Sequence, residues 1–211
     1  ELLKKNADVN FVCPIYKNNN LNRLPKNIIY GKKITYPSMI NYLIKAAMLD
    51  RSVYSIFKQS PEMVINSLIT VSITGLSIAA AMKYTTPESE LTEYSLMIMV
   101  AFSTVLVGWM MWSYLAKVIC QILGTESEFR DMMRSIGIAY SPGILSIFIT
   151  IPIAGSYILL IIWIWVLLSV TRSIQSTQNL SFIKSLIPGL VGWFMAWILF
   201  PFLMLGNYFI A

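Results

Sequence analysis

Residues 155–170 read GSYILLIIWIWVLLSV, an uncharged run that can cross most of a bilayer as one helix. A hydrocarbon core about 30 Å thick requires roughly 20 predominantly apolar residues per helix. Moving outward from this run, four more stretches approach that length: 63–82, 94–116, 136–153 and 186–209. The third carries Pro142 and Pro152 and meets 155–170 after almost no loop, so the two should form a tight helical hairpin. The last has Pro188 near its start and Pro201 further on, where packing neighbours can satisfy the freed carbonyls. The spacing therefore predicts an all-α integral membrane protein of about five transmembrane helices.

Composition agrees. Of 211 residues 56% are hydrophobic and 12% charged, far from an ordinary soluble domain. The net charge of +6 sits mainly ahead of the first span, on Lys4, Lys5, Lys17, Arg23, Lys26, Lys32, Lys33, Lys45, Arg51 and Lys58. With that part in the cytoplasm, Lys117, Arg130, Arg134, Arg172 and Lys184 fall on the same side and Lys83 on the other. Fifteen of the sixteen Lys and Arg then lie inside, which fixes a cytoplasmic N-terminus and places Ala211 outside. Trp109, Trp112 and Tyr114 read as anchors at the inner interface, Tyr157 and Tyr208 at the outer.

Ahead of the spans the chain divides in two. Residues 1–35 are rich in Asn and Lys and lack helical or strand periodicity, so they are expected to be an extended cytoplasmic tail without a core of its own. With no apolar h-region in residues 1–35, no secretory signal is expected within them. Residues 36–60 should form two short amphipathic interfacial helices, the first with Pro37 in its opening turn, the second N-capped by Asp50 with Val53, Tyr54 and Phe57 on one face. Ser60-Pro61 then signals the start of the bundle, residues 61–211.

The chemistry-bearing residues are few. There is no histidine, and Cys13 and Cys120 stand apart outside any CxxC pattern, which argues against most metal sites and general-base catalysis. A membrane serine protease would have only Lys117 or Lys184 as a base. No Asp, Glu, Lys or Arg lies near a span centre, where such residues mark proton relays and ion sites. Asn66, Ser67, Thr70, Thr74 and Ser77 give span one a mildly polar face, while Gly75 with Ala79 and Gly192 with Ala196 make small-xxx-small pairs that helix packing explains. Met97, Met99, Met110 and Met111 are read as apolar filling. In the loop GTESEFRDMMR, residues 124–134, Thr125 and Glu128 form a capping box and Glu126 pairs with Arg130, predicting a short interfacial helix.

The order of these features is similar to a known family. The segments AAMLDRSVYSIFKQSPE before span one, GTESEFRDMMRSIGIAYSPGIL after span two, and PIAGSYILLIIWIWVLLSVTRSIQSTQNLSFIKSLIPGLVGW leading to the final span resemble the Yip domain family, the Ypt/Rab-interacting membrane proteins and their bacterial relatives. The resemblance covers roughly residues 45–205 and includes Phe129-Arg130 and a Gly-x-x-x-x-Pro lead-in spelled by Gly137 and Pro142. It implies five helices and a cytoplasmic N-terminus. The Asp-Leu-Tyr-Gly-Pro-like motif of members acting in vesicle traffic does not occur here.

The expected function is a non-catalytic membrane scaffold or accessory subunit in a bacterial inner membrane, not an enzyme. Its partners would be lipids and other membrane subunits, not nucleic acid. Partner binding is assigned to the cluster Phe11, Val12, Ile15 and Tyr16, and to Phe129, Arg130 and Arg134. No cofactor is expected, though bound lipids would fit such a surface. The alternative is a transporter or channel for a neutral or lipidic solute that uses Asn66 and Thr70.

Overall fold

Residues 134–143 are buried without a break, and the bundle is built around them. The computed structural model describes residues 36–85 and 91–199, and every regular element among them is helical. In chain order these are α1 (Tyr36–Ala47), α2 (Arg51–Gln59), α3 (Met63–Thr85), α4 (Leu91–Ile122), α5 (Phe129–Ala139) running into a 3-10 segment (Ser141–Thr150), α6 (Gly155–Gln178), and α7 (Phe182–Phe194) ending in a π turn (Met195–Leu199).

Among the described residues four stretches are long and apolar enough to cross a membrane: Met63–Ala81, Ile98–Ile122, Phe129–Thr150 and Gly155–Gln178; Phe182–Trp197 is a shorter apolar helix. α5 and the 3-10 segment form the middle of the packing. α3, α4, α6 and α2 contact α5, and α3 and α6 also contact the 3-10 segment. A helix surrounded in this way has to be small or apolar on every side, and the run Ile136, Gly137, Ile138, Ala139 meets that demand. The outer helices show the reverse pattern: Ile65, Ile69, Ile73 and Leu76 on α3 and Leu160, Ile161, Ile164 and Leu168 on α6 face outward, an apolar surface suited to lipid.

Close approach on the inner faces depends on small residues. A Cβ on Gly137 would stand 2.5 Å from Ser67 Cβ and one on Gly143 2.6 Å from Thr74 Cγ2, so α3 lies against backbone there. Gly192 of α7 lies directly on the Trp112 indole, and Gly108 touches Ala196, so the Gly192–Ala196 pair seats α7 and the π turn on α4. Gly75 likewise faces Phe102 and Val105 of α4. The tight hairpin between the third span and α6 turns at Ile153, φ 67°, and closes on Gly155, whose position leaves no room for a side chain beside the Ile149 carbonyl.

Several local expectations are corrected. The Thr125–Glu128 capping box does not form. α5 begins at Phe129, Glu128 occupies its N-cap without a side-chain bond, and Thr125 donates to Cys120 O at 2.9 Å, closing α4 instead. Glu126 thus precedes the helix, and the ion pair among the described residues is Arg134–Asp131 rather than Glu126–Arg130. A helix does stand there, α5 from Phe129 to Ala139, and it runs on into the 3-10 segment so that Phe129–Thr150 forms one apolar stretch. Ser60 ends α2, its N–H bonding Ile56 O, and Met63 opens α3. Trp109 and Trp112 are buried within the bundle, Trp109 Nε1 donating to Met133 O at 3.1 Å, whereas Tyr114 and Tyr157 are exposed. Tyr208 and Pro201 lie outside the described residues.

Candidate functional site

The polar groups of the bundle gather at the end where α2 crosses α5 and α6. Asp50 forms the N-cap of α2, accepting from Ser52 N at 2.9 Å, and the Ser52 N–H is the main reason its carboxyl sits below the ordinary value. Val53, Tyr54 and Phe57 point into the bundle. Burial raises the Tyr54 phenol, which stays protonated and donates to Ala46 O at 2.6 Å.

A two-way clip fastens the other end of α2. Arg134 pairs with Asp131 and donates through Nη2 to Lys58 O at 2.7 Å, satisfying a carbonyl of the last turn. Lys58 in turn donates through Nζ to Thr177 O at 2.7 Å, placing a cation on the C-terminal carbonyls of α6, where the helix dipole favours it. Ser67 of α3 donates to Arg134 O at 2.6 Å, and Ser176 of α6 to Arg51 O at 2.9 Å. Four elements are held by bonds that each end on backbone.

Of the residues assigned to partner binding, Phe129 is half-buried with its ring edge-on to Tyr114 at 6.2 Å, and Arg130 is exposed. Arg134, one turn on, is buried and engaged within the chain. The structure thus brings Phe129 and Arg130 together at a surface and separates Arg134 from them. Phe11, Val12, Ile15 and Tyr16 lie outside the described residues. Ser67, Thr70 and Thr74, the polar face of α3, are all buried; Thr70 and Thr74 bond back to the carbonyls four residues earlier, and Thr74 is also 3.2 Å from Tyr140 O. Asn66 is half-buried, its amide on Met63 Sδ at 3.1 Å.

An aromatic cluster that the sequence reading missed joins α4, α5, α6 and α7. Tyr140 lies edge-on to Trp112 at 5.8 Å and stacks with Trp197 at 6.2 Å, while Trp163 meets Trp193 at 6.1 Å and Trp197 at 5.9 Å. Trp193 Nε1 donates to Trp163 O at 3.2 Å, but the indole N–H groups of Trp112 and Trp163 have no acceptor among the described residues. The hydroxyls of Ser141, Thr171 and Ser173 are likewise buried without a partner among the described residues. The i,i+4 spacing of Trp193 and Trp197 was the available signal for one shared face. Among the described residues no group of His, Cys, Asp and Glu stands close enough to hold a metal ion.

No protein-family model matches the chain, and no curated protein or solved structure matches it either.

Proposed function

We propose that the chain is a non-catalytic membrane scaffold or accessory subunit, docking a larger membrane complex through residues 1–35 and the exposed start of α5. The observation that carries this reading is the division of labour at the α2 end. Arg134, Lys58 and Asp131 serve the chain's own helices, while Arg130 with half-buried Phe129 remains outward on a rigid base. A clip tying four elements suits a support whose surface must hold its shape.

The same reading includes a fifth span formed by α7 and the residues to 209, a cytoplasmic N-terminus, an outer C-terminus, and a place among the bacterial relatives of the Yip domain family. The charge asymmetry and the order of motifs support it. Arg130→Ala and Phe129→Ala should weaken co-purification with partner subunits, read by native mass spectrometry after gentle detergent extraction, while leaving the melting temperature within a degree or two. Arg134→Gln should do the opposite, lowering the melting temperature first. A wild-type protein that runs only as a monomer sinks the proposal.

A second reading, passage of a neutral or lipidic solute, draws on the partnerless hydroxyls of Ser141, Thr171 and Ser173 and the free indole N–H groups of Trp112 and Trp163. Measurable solute flux that falls on changing Thr171 to Val would favour it over the scaffold.

A further inference from the structure

α1 leaves Ile40, Ile44 and Met48 on one outward stripe at i, i+4, i+8, exposed by 57%, 48% and 75%. Its placement says what covers them. Trp165 Nε1 of α6 donates to Ala47 O at 2.8 Å, and Trp165 stands thirteen residues before Gln178, about 20 Å along the axis. With Arg172 at the interface, where the charge count places it, Trp165 lies seven residues, about 10 Å, inside the core, while the Ser176–Arg51 bond keeps the start of α2 at the polar end. α1 also packs against the 3-10 segment, the far half of the third span.

The C-terminus of α1 is built for that depth. A helix leaves its last four carbonyls without intrahelical partners, and in hydrocarbon no water can take them. Here all four are satisfied. Met48 N–H bonds Ile44 O at 2.9 Å, Asp50 N–H bonds Lys45 O at 3.0 Å, Leu49 N–H and the Tyr54 hydroxyl both reach Ala46 O, and the Trp165 indole takes Ala47 O. Two of these donors are aromatic side chains from other helices. Lys45 and Arg51 are exposed beside the turn, with apolar stems long enough to carry their charges toward headgroups.

We infer that α1 is a membrane-embedded helix, lying below the headgroups of the leaflet nearest α2, and that phospholipid acyl chains cover the Ile40–Ile44–Met48 stripe. This does not depend on which leaflet faces the cytoplasm. The experiment uses the full chain in a Cys13→Ser background, Cys120 being buried, with Ile44→Cys labelled by bimane and reconstituted in phosphatidylcholine vesicles. Phosphatidylcholine brominated on its acyl chains should quench the label about as strongly as one on lipid-facing Leu160→Cys, and aqueous iodide should quench it several-fold less than a label on Glu126→Cys. Iodide quenching without bromolipid quenching would place the stripe in water; quenching by neither would put a protein over it, and either result overturns the inference. Ile40→Cys repeats the measurement should Ile44→Cys disturb the fold.

Discussion

At the residue scale two of the helix-ending turns obey the same geometry with different residues. Gly124, φ 84°, ends α4 with Thr125 N–H bonded to Cys120 O; Leu49, φ 63°, ends α1 with Asp50 N–H bonded to Lys45 O. A non-glycine residue in the left-handed region costs about 1 to 2 kcal/mol, and glycine gives back roughly 0.5 to 1 kcal/mol of that through its greater unfolded freedom. Leu49→Gly should therefore leave thermal stability in detergent within about 1 kcal/mol of wild type, whereas β-branched Leu49→Val should melt clearly lower. A large loss on Leu49→Gly would mean that the half-buried leucine side chain, not its backbone, holds the turn. Asp50 follows immediately. Removing its cap with Asp50→Ala should cost about 1 kcal/mol, and Asp50→Asn should restore most of it. Because the folded carboxyl is held below the value of the unfolded chain, its contribution is present above the unfolded pKa and is lost as pH falls through the folded one. Wild-type α2 should loosen by hydrogen exchange only in acid below pH of about 4, the ordinary range for an aspartate, and that acid step should be absent in Asp50→Asn.

At the element scale, the contacts that seat the helices are made by missing side chains. Gly137→Ala would push a methyl onto Ser67, and Gly192→Ala onto the Trp112 ring, each in a packed interior. Overpacking of this kind typically costs about 1 to 3 kcal/mol, so both variants should unfold at lower temperature or lower denaturant, and the near-ultraviolet signal of the tryptophans should change for Gly192→Ala alone. No change in either would mean that the helices slide freely past one another. The sequence made the elements readable because hydropathy and helical periodicity are local: Asp50 as a cap, the α2 face of Val53, Tyr54 and Phe57, and the hairpin at 155 all stand where the pattern placed them. The start of α5 was misread because the Thr125 hydroxyl could either accept from an N–H at the start of the next helix or donate to a carbonyl at the end of the preceding one, and the spacing of a capping box does not reveal that it does the second. Trp109 and Trp112 were misread because hydropathy cannot tell an indole at an interface from one sealed by Gly192, as Trp112 is, or bonded to the Met133 carbonyl, as Trp109 is. The Arg134–Lys58 clip joins residues 76 positions apart, beyond any periodicity.

At the scale of the whole molecule, the arrangement of helices makes a single directional statement. α2, the end of α4, the start of α5 and the end of α6 share one end of the bundle through the bonds of Arg134, Lys58 and Ser127, the last donating to Lys117 O at 3.0 Å. All the Lys and Arg carried by those segments are therefore on one side, and the proposed orientation puts them in the cytoplasm with the α3–α4 loop outside. Cysteine reagents that cannot cross membranes make this testable in intact cells. A cysteine at Glu126, exposed beside buried Ser127, or at Lys26 should be protected from outside and labelled once the cells are opened, and one at Glu90 should be labelled from outside directly. If Lys26 and Glu90 are labelled from the same side, the orientation falls together with the docking role for residues 1–35. If the topology holds, removing residues 1–35 provides the sharper experiment. The described bundle packs through its own small residues and backbone bonds, so the truncated chain should insert and melt as wild type does. Its partners should be lost, since ordering a segment with so little apolar content costs about 1 to 2 kcal/mol per residue and only a partner surface can offset that. Full-yield co-purification of the truncated chain would move the grip to Phe129 and Arg130, whose alanine variants would then have to carry the whole loss.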